Sequence, residues 1–358
     1  MNCIFCMTLD IFRLHVPAED TTLRRCLRVY TILPKYCKNP TIRNTKAIPI
    51  VQKIRNIDQR LVKKTGFSWR KKWAEKIGYP IKQCVFKDWF CGRASIPLIA
   101  IEKLKFFIEE KELTELAEQI DYVSSTTQEV IRIPKELSPD LLYLTGILMG
   151  DGCFSVKKYG RDGNNAFVVI LTSSQKEFLQ DKVSPIFFKL FEINRISFQY
   201  KDSHWPSWDL RKANKALYRF FVNIIGIPSG KKSEKACIPD TIKQLPVREQ
   251  IPFISGLIDS DIGKHGRGMG CTFRSKRLID DLLILLEKNG VEAKYYGTHL
   301  KNGKYIQNDF SIPKSQIKRL KDVLVANYLP KREDRLNLLF SLAGIGERSN
   351  LPASGSFS

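Results

Sequence analysis

The sequence predicts an α+β fold in which two αββαββα repeats, related by pseudo-symmetry, form a saddle behind a small helical domain. Two apolar segments, residues 144–152 and 254–261, support it, because both carry small residues at the same spacing and both contain an aspartate at the end of the run. Strand and helix patterns then follow each segment in the same order, as expected of an internal repeat. The strands alternate polar and apolar residues, which is typical of antiparallel sheets with one open face.

Small residues recur four positions apart in both segments, Gly146 with Gly150 and Gly256 with Ser260. This spacing places both members of a pair on one face of a helix. Two such faces can pack with their backbones unusually close together. The pattern therefore predicts that the two segments are helices packed on each other.

Asp151 and Asp261 would then lie side by side where the two helices end. Helix C-termini carry partial negative charge and two carboxylates repel each other, so this arrangement calls for cations. A pair of carboxylates that shares divalent metals is what phosphodiester hydrolysis needs. Mg²⁺ is the expected ion, because few protein oxygens together with water and phosphate suffice to hold it.

The chain is strongly basic, with a formal net charge of +22 and a pI near 9.6. Such a charge indicates a polyanionic partner, most often nucleic acid. The hydrophobic content of 43% over 358 residues is enough for two or three domains with sizeable cores. No apolar run reaches the length of a membrane span, so a soluble intracellular protein without a membrane partner is expected.

The nine cysteines are scattered and odd in number, which favours free thiols. Cys3 and Cys6 have the spacing of a zinc-binding pair, but Cys26 and Cys37 lack it. Zinc is therefore disfavoured.

The predicted domain boundaries follow shifts in composition along the chain. They are an unassigned basic segment 1–45, a helical module 46–130, a first repeat 136–235, a second repeat 236–340 and a tail 341–358. The module is predicted to contain helices that end near residue 77 and span 81–90 and 98–110, with a turn at 92–97. The order of a helix, a tight turn, a second helix and a supporting helix indicates a helix-turn-helix. In it, Lys82, Lys87 and Arg93 are expected to contact phosphates. A helical linker with solvated basic residues is the alternative.

Each repeat is predicted to follow its motif helix with strands and helices in matching order. These are a strand 167–171, a helix 176–191, strands 195–201 and 208–211 and a helix 216–225 in the first, and a strand 270–273, a helix 276–288, strands 291–298 and 306–312 and a helix 316–324 in the second.

Polar residues that alternate along these strands are predicted to face outward on the open side of the saddle. They are Arg195, Ser197, Gln199, Lys201, Arg211, Lys294, Tyr296 and Gln307. Guanidinium forks and amides can read base edges in a major groove, while lysines hold phosphates. A merely solvated sheet face produces the same alternation.

The two apolar segments resemble the paired motifs of LAGLIDADG homing endonucleases of the single-chain type. The resemblance covers roughly residues 136–340, and the segments 238–240 and 251–253 are similar to the way in which the family leads into its second motif. It implies a monomer that hydrolyses both strands of a long, asymmetric double-stranded DNA site with Mg²⁺ or, alternatively, Mn²⁺.

The resemblance also implies roles for particular residues. Asp151 and Asp261 would bind the metal ions, assisted by the backbone carbonyls of Gly152 and Ile262, and each would serve one strand. The family places a lysine in the loop after the last helix of each repeat, which here indicates Lys232 and, in the second repeat, Lys331.

One position departs from the family pattern. Gly152 follows the first aspartate, whereas Ile262 follows the second and Gly263 comes one residue later. Family members have glycine there because the helix turns sharply into a strand, and a β-branched residue tolerates positive φ poorly. Either the second turn is one residue longer or the second site is distorted, which would leave a nickase or a protein that binds without cutting.

Two other functions fit the same features. An RNA maturase that assists splicing of its intron RNA would use a similar saddle, and a DNA-binding regulator would combine the helix-turn-helix with a decayed nuclease core. An intein is disfavoured, because the ends of the sequence show no His-Asn splice-junction pair.

Overall fold

In the computed structural model, helices are combined with antiparallel sheets, the α+β class that the sequence predicts. The structure describes residues 28–29, 49–78, 83–90, 96–124, 129–159, 164–193, 195–230, 232–301 and 305–344. Within these ranges, no helix is both long enough and apolar enough to cross a membrane. The cysteines considered for zinc, Cys3, Cys6, Cys26 and Cys37, lie outside them.

The N-terminal part combines short helices with a small sheet. Its elements are β1 (Arg28–Val29), α1 (Pro49–Thr65), α2 (Ser68–Ile77), α3 (Gln83–Phe90), β2 (Ile96–Pro97), α4 (Leu98–Glu102), α5 (Glu110–Glu118), β3 (Tyr122–Ser124) and β4 (Ile131–Arg132). The helices pack around Trp69 and Trp73, whose rings stack with centroids 5.3 Å apart. Helix α2 ends as predicted at Gly78, which has φ 75° and caps the helix in the left-handed conformation.

Two predictions for this part are wrong. The helix expected over 98–110 is interrupted, because a 3₁₀ turn over Lys103–Phe106 ends at Phe107, whose φ of −131° lies outside the helical region. Of the turn expected at 92–97, residues 92–95 lie outside the described ones, while 96–97 form strand β2 and not a turn. Strand β2 pairs with β1, and β1 pairs in turn with β3. Pairing between segments this distant leaves no local sequence signal, so a purely helical module was predicted.

The rest of the described chain contains two larger sheets. Its first elements are α6 (Pro139–Gly150), β5 (Gly152–Tyr159), β6 (Asn164–Ser173), a π-helical turn (Phe178–Val183), α7 (Ser184–Phe191), β7 (Ser197–Lys201), β8 (Ser207–Ala213), α8 (Lys215–Arg219) continued by a second π-helical turn (Phe220–Ile225), α9 (Lys232–Lys235) and α10 (Asp240–Lys243). The elements that follow are α11 (Ile251–Ser260), β9 (Gly263–His265), β10 (Gly268–Phe273), α12 (Lys276–Lys288), β11 (Lys294–Lys301), β12 (Tyr305–Ile312), α13 (Lys314–Asn327) and α14 (Glu333–Leu342).

The two sheets share one strand order. It is β5-β6-β8-β7 in the first and β9-β10-β12-β11 in the second, and all neighbours are antiparallel. The predicted strands and helices of both segments are present, with α12 at its predicted bounds. Helix α14 was not predicted.

Helices α6 and α11 pack on each other in the core. Every residue of α11 is buried, and so are residues 141–149 of α6, as expected of helices that are apolar on all sides. Methyl groups added at Gly146 and Gly256 would overlap the backbone carbonyl oxygens of Phe253 and Tyr143. The helix backbones therefore touch at the small residues, and this contact brings the two C-terminal ends together.

Candidate functional site

Asp151 and Asp261 occupy equivalent positions, as the C-caps of α6 and α11. A methyl group at Gly150 would overlap the carboxylate of Asp261 and the hydroxyl of Ser260, so the second aspartate reaches across to the end of the first helix. Within the described residues, neither carboxylate accepts a hydrogen bond or forms an ion pair. The structure thus brings two unpaired carboxylates together at the ends of the motif helices.

Burial dominates the electrostatics of this pair. Together with the charge of Asp261, it raises the pKa of Asp151 to about 7, against the opposing effect of Lys232. Burial also raises the pKa of Asp261, opposed by Lys232 and Arg335. The cost of holding two carboxylates here falls when a cation is bound between them.

The donor set fits a hard divalent ion. Two carboxylates and neighbouring backbone carbonyls are oxygen ligands, which suit Mg²⁺, an ion that keeps several waters. Among the described residues, no group of three or more His, Cys, Asp or Glu side chains could hold a metal ion. The protein would therefore share the ion with water and substrate. Whether Gly152 and Ile262 supply carbonyls stays a prediction.

Lys232 lies at the C-terminal end of α6. Its Nζ donates to the carbonyl oxygens of Leu148, Met149 and Gly150 at 2.9, 2.6 and 2.6 Å. Burial lowers its pKa to about 8, opposed by Asp261 and Asp151. The ammonium group thus neutralises the negative end of the helix beside both carboxylates.

The structure does not bring Lys331, the predicted second lysine, to the aspartates. Its Nζ lies over the rings of Tyr328 and Tyr143, 4.9 and 5.4 Å from their centroids. Its pKa is lowered by burial, and the acidic groups that oppose this effect are Asp140 and Asp259. The fold therefore does not place Lys331 as the counterpart of Lys232 that the resemblance implies.

Arg335 stands beside the aspartates instead. It lies on α14 against Gly263, where an added methyl group would overlap its Nη1. Its charge opposes the rise in pKa of both Asp151 and Asp261. Since α14 was not predicted, this residue was missed, although the first turn of that helix carries the helix-favouring acids Glu333 and Asp334.

Buried Asp259 fixes the segment that leads to Arg335. Its carboxylate accepts hydrogen bonds from the hydroxyl of Tyr143 at 2.5 Å and from the backbone amides of Lys331 and Arg332 at 2.6 and 3.1 Å. The carbonyl oxygen of Asp259 accepts from Arg332 Nη1 at 3.0 Å. Asp259 thus supports the segment before α14, and these hydrogen bonds occupy its carboxylate.

The second turn is one residue longer, since β9 begins at Gly263 whereas β5 begins at Gly152. The expected reason for the first glycine is wrong, because neither glycine has a positive φ. A methyl group at Gly152 would overlap the carbonyl oxygen of Leu148, so a close backbone approach requires it. Ile262 is fully buried in the core, which explains an apolar residue at this point.

Without metal, stability is expected to fall as the pH rises from about 5 to 8. Asp151 has a higher pKa in the folded protein, about 7, than its ordinary value of 3.8. Its contribution to stability is therefore fully present below pH 3.8 and is lost as the pH rises to about 7. Thermal melting in EDTA should show a Tm lower by roughly 3–6 °C at pH 8 than at pH 5. Asp151→Asn should make this slope shallower. The part that remains comes from Asp261, whose pKa burial also raises, and from Asp259, whose pKa burial raises to about 6. Equal slopes in both proteins would contradict the assignment.

The predicted open-face residues of the first sheet share a face. Ser197, Gln199 and Lys201 alternate along β7, and Arg211 of β8 pairs with Ser197 in register. Ser197 and Gln199 are exposed, as is Arg195 just before the strand. Lys201 and Arg211 are half-buried.

In the second sheet, Lys294 lies exposed at the start of β11, and Gln307 lies half-buried on β12. A bulge between Tyr295 and Gly297 shifts the register, and Tyr296 at this bulge is 64% exposed. Two aspartates on these polar faces, Asp209 and Asp309, were not predicted; alternation with Arg211 and Gln307 is the signal that indicates them.

Of the N-terminal candidates, Lys87 is exposed on α3. Lys82 and Arg93 lie outside the described residues.

No family model matches the sequence, and no curated protein matches it significantly. Among solved structures, the chain is similar to I-DmoI in complex with DNA and calcium, with 20% identity over 56% of this chain and 97% of that chain and a TM-score of 0.44. It is also similar to the homing endonuclease I-WcaI bound to its DNA recognition sequence, with 14% identity over 57% and 87% of the two chains and a TM-score of 0.37. It is similar as well to the LAGLIDADG meganuclease I-AabMI bound to uncleaved DNA, with 12% identity over 58% of this chain and 90% of that chain and a TM-score of 0.34. This chain thus resembles LAGLIDADG homing endonucleases of solved structure over a little more than half of its length.

Proposed function

We propose that this protein is a site-specific DNA endonuclease, a monomer that hydrolyses both strands of a long, asymmetric duplex site with divalent metal ions, Mg²⁺ or Mn²⁺. The observation that carries the proposal is the pair of carboxylates, Asp151 and Asp261, which lie at the ends of two packed helices and have no hydrogen-bond or ion-pair partner among the described residues. A basic chain of net charge +22 supplies the attraction to a polyanion.

The residues around the pair have complementary tasks. Bound metal ions would activate a water and stabilise the leaving oxygen, the chemistry that such ions supply in phosphodiester hydrolysis. Asp151 and Asp261 would hold these ions, one beside each strand. Lys232 and Arg335 would stabilise negative charge that develops on the two phosphates. Lys232 also fixes the end of α6, because it donates to three of its carbonyls.

The two sheets would form the surface that reads the DNA. Their common strand order supports two repeats, 136–235 and 236–340, that are related by pseudo-symmetry and joined through α6 and α11. Because their open-face residues differ, the two halves of the target would differ as well. The N-terminal part, 46–130, would add phosphate contacts outside the saddle, with Lys87 among them.

Cleavage of a randomised duplex library with Mg²⁺, followed by sequencing of the ends, tests the proposal. Recurrent double-strand ends at one long site, lost in Asp151→Asn, are expected. Nicks on one strand would show that one of the two metal sites is disabled. Retention of DNA without cutting would overturn the proposal in favour of a regulator, and selective retention of structured RNA in favour of a maturase.

Replacement of Arg335 by glutamine is expected to reduce cleavage about 100-fold, because a cation that stabilises the transition state is lost. The matched change Lys331→Gln removes a positive charge only four residues earlier, from a side chain that lies over Tyr143 and Tyr328. It should leave the single-turnover rate within about threefold, in line with its distance from the chemistry. A larger loss in Lys331→Gln than in Arg335→Gln would restore the lysine assignment.

A further inference from the structure

The same polar pair occurs at the same position of both sheets. In the first, Thr172 of β6 pairs in register with Asp209 of β8, and its Oγ1 donates to Asp209 Oδ1 at 2.7 Å. In the second, Thr272 of β10 pairs with Asp309 of β12 and makes the same hydrogen bond. Both aspartates lie on the third strand of their sheet's order, on the face predicted to meet DNA.

Asp209 holds two of the cations on its face. Arg211 donates to Oδ2 through Nε at 3.0 Å and Nη2 at 2.7 Å, and Lys201 Nζ lies 2.7 Å from Oδ1. The side chain of Asp209 is fully buried beneath them. Burial raises the pKa of this carboxyl, but the hydrogen bonds from Lys201, Thr172 and Arg211 outweigh it and leave the pKa lowered. Asp209 is therefore an ionised anchor.

Asp309 holds different partners. His299 Nδ1 lies 3.3 Å from Asp309 Oδ2, and its Nε2 lies 3.2 Å from Gln307 Oε1. The imidazole is thus bridged between a carboxylate and an amide that are two residues apart on β12. The anchor is common to both sheets, whereas the groups that it orients differ.

A carboxylate in the middle of a DNA-facing surface repels phosphate, so its presence in a basic chain calls for a reason. Held in this way, the Arg211 fork has lost most of its rotational freedom before any contact, which lowers the entropic cost of a directed hydrogen bond. Its Nη1 is not used by Asp209 and remains a donor for a base edge. Arginine donors match the O6 and N7 acceptors of guanine in the major groove.

We propose that Asp209 and Asp309 are positioning residues that set base preference, one in each half of the DNA site; this inference rests on the proposed function. Asp209 orients Arg211, supported by Lys201, toward a guanine in one half. Asp309, through the bridging His299, orients Gln307 so that its amide NH2 faces a purine in the other half. Neither aspartate contacts the DNA itself.

The test is a cleavage-specificity profile over every single-base variant of the target, for the full chain and for Asp209→Asn and Asp309→Asn. Each variant should relax discrimination at least about tenfold at one to three adjacent positions in one half-site, and the two variants should affect opposite halves. Each of the two variants thus serves as a control for the other, because a general loss of structure would lower cleavage at all positions of the site. Arg211→Gln should relax the same positions as Asp209→Asn, and the double variant should add nothing.

The outcomes separate this inference from the proposed function. Failure of the unmodified protein to cut any site would overturn the endonuclease. A protein that cuts one site, with profiles unchanged in the variants or changed equally in both halves, would overturn the positioning role alone. If Asp209→Asn does not fold, Arg211→Gln decides for the first sheet, since an unchanged half-site would contradict the proposal.

Discussion

Asp151→Asn and Asp261→Asn are each expected to lower double-strand cleavage by at least about 1,000-fold while DNA binding stays within about threefold. Asparagine keeps the size of the side chain but loses the charge that holds a divalent ion. Binding should persist, because removal of one of two adjacent carboxylates also removes repulsion of the phosphate. Single-turnover cleavage of the identified site and equilibrium binding in Ca²⁺ measure the two effects separately.

Asp280→Asn is a suitable control, because Asp280 pairs with Lys276 on the exposed surface of α12. Its cleavage rate should equal that of the unmodified protein. Nicks confined to one strand in each of the two active-site variants, on opposite strands, would show that each aspartate serves its own strand. Normal double-strand cutting by either variant would contradict the shared-metal site.

Gly256→Ala is expected to destabilise the folded protein by more than about 3 kcal/mol. The added methyl group would overlap the carbonyl oxygen of Tyr143, which belongs to the helix backbone and has no rotamer that makes room. Helices α6 and α11 would have to separate, and their fully buried contact would open. Gly146→Ala should have a similar effect, since its methyl group meets the carbonyl oxygen of Phe253.

Urea unfolding of the full chain measures this cost. Ser315→Ala, an exposed change on α13, controls for the helix propensity of alanine and should change stability by less than about 0.5 kcal/mol. The glycine variants should also lose cleavage, because the distance between Asp151 and Asp261 depends on the same contact. A glycine variant as stable as the control would mean that the two helices do not approach as closely as described.

The sequence predicts most of the two-sheet part, because its signals are local. Polar and apolar residues alternate along the strand that contains Ser197 and Gln199. Helix α12 has an apolar stripe, and Ser275 just before it caps the helix, because its hydroxyl accepts a hydrogen bond from the backbone N–H of Leu278. The small residues at Gly146 and Gly256 indicate close packing by spacing alone. Such patterns need no knowledge of what lies across the contact.

The predictions that fail depend on contacts between distant segments. Strand β2 exists because it pairs with β1. Arg335 lies near the aspartates because the segment before it is held by hydrogen bonds from the amides of Lys331 and Arg332 to Asp259. The position of a loop in the sequence cannot distinguish Lys331 from Arg335, since only the path of the backbone decides which of the two side chains lies near the aspartates.

By itself, the sequence determined the motif helices, their small contact residues and the aspartates at their ends, because helical spacing places these residues on one face whatever surrounds them. Only the tertiary structure decided which cations lie near the carboxylates, why residue 152 must be glycine and that Asp209 holds Arg211 and Lys201. Those features depend on distances between groups far apart in the chain, and such distances exist only once the two sheets and the helices between them have packed.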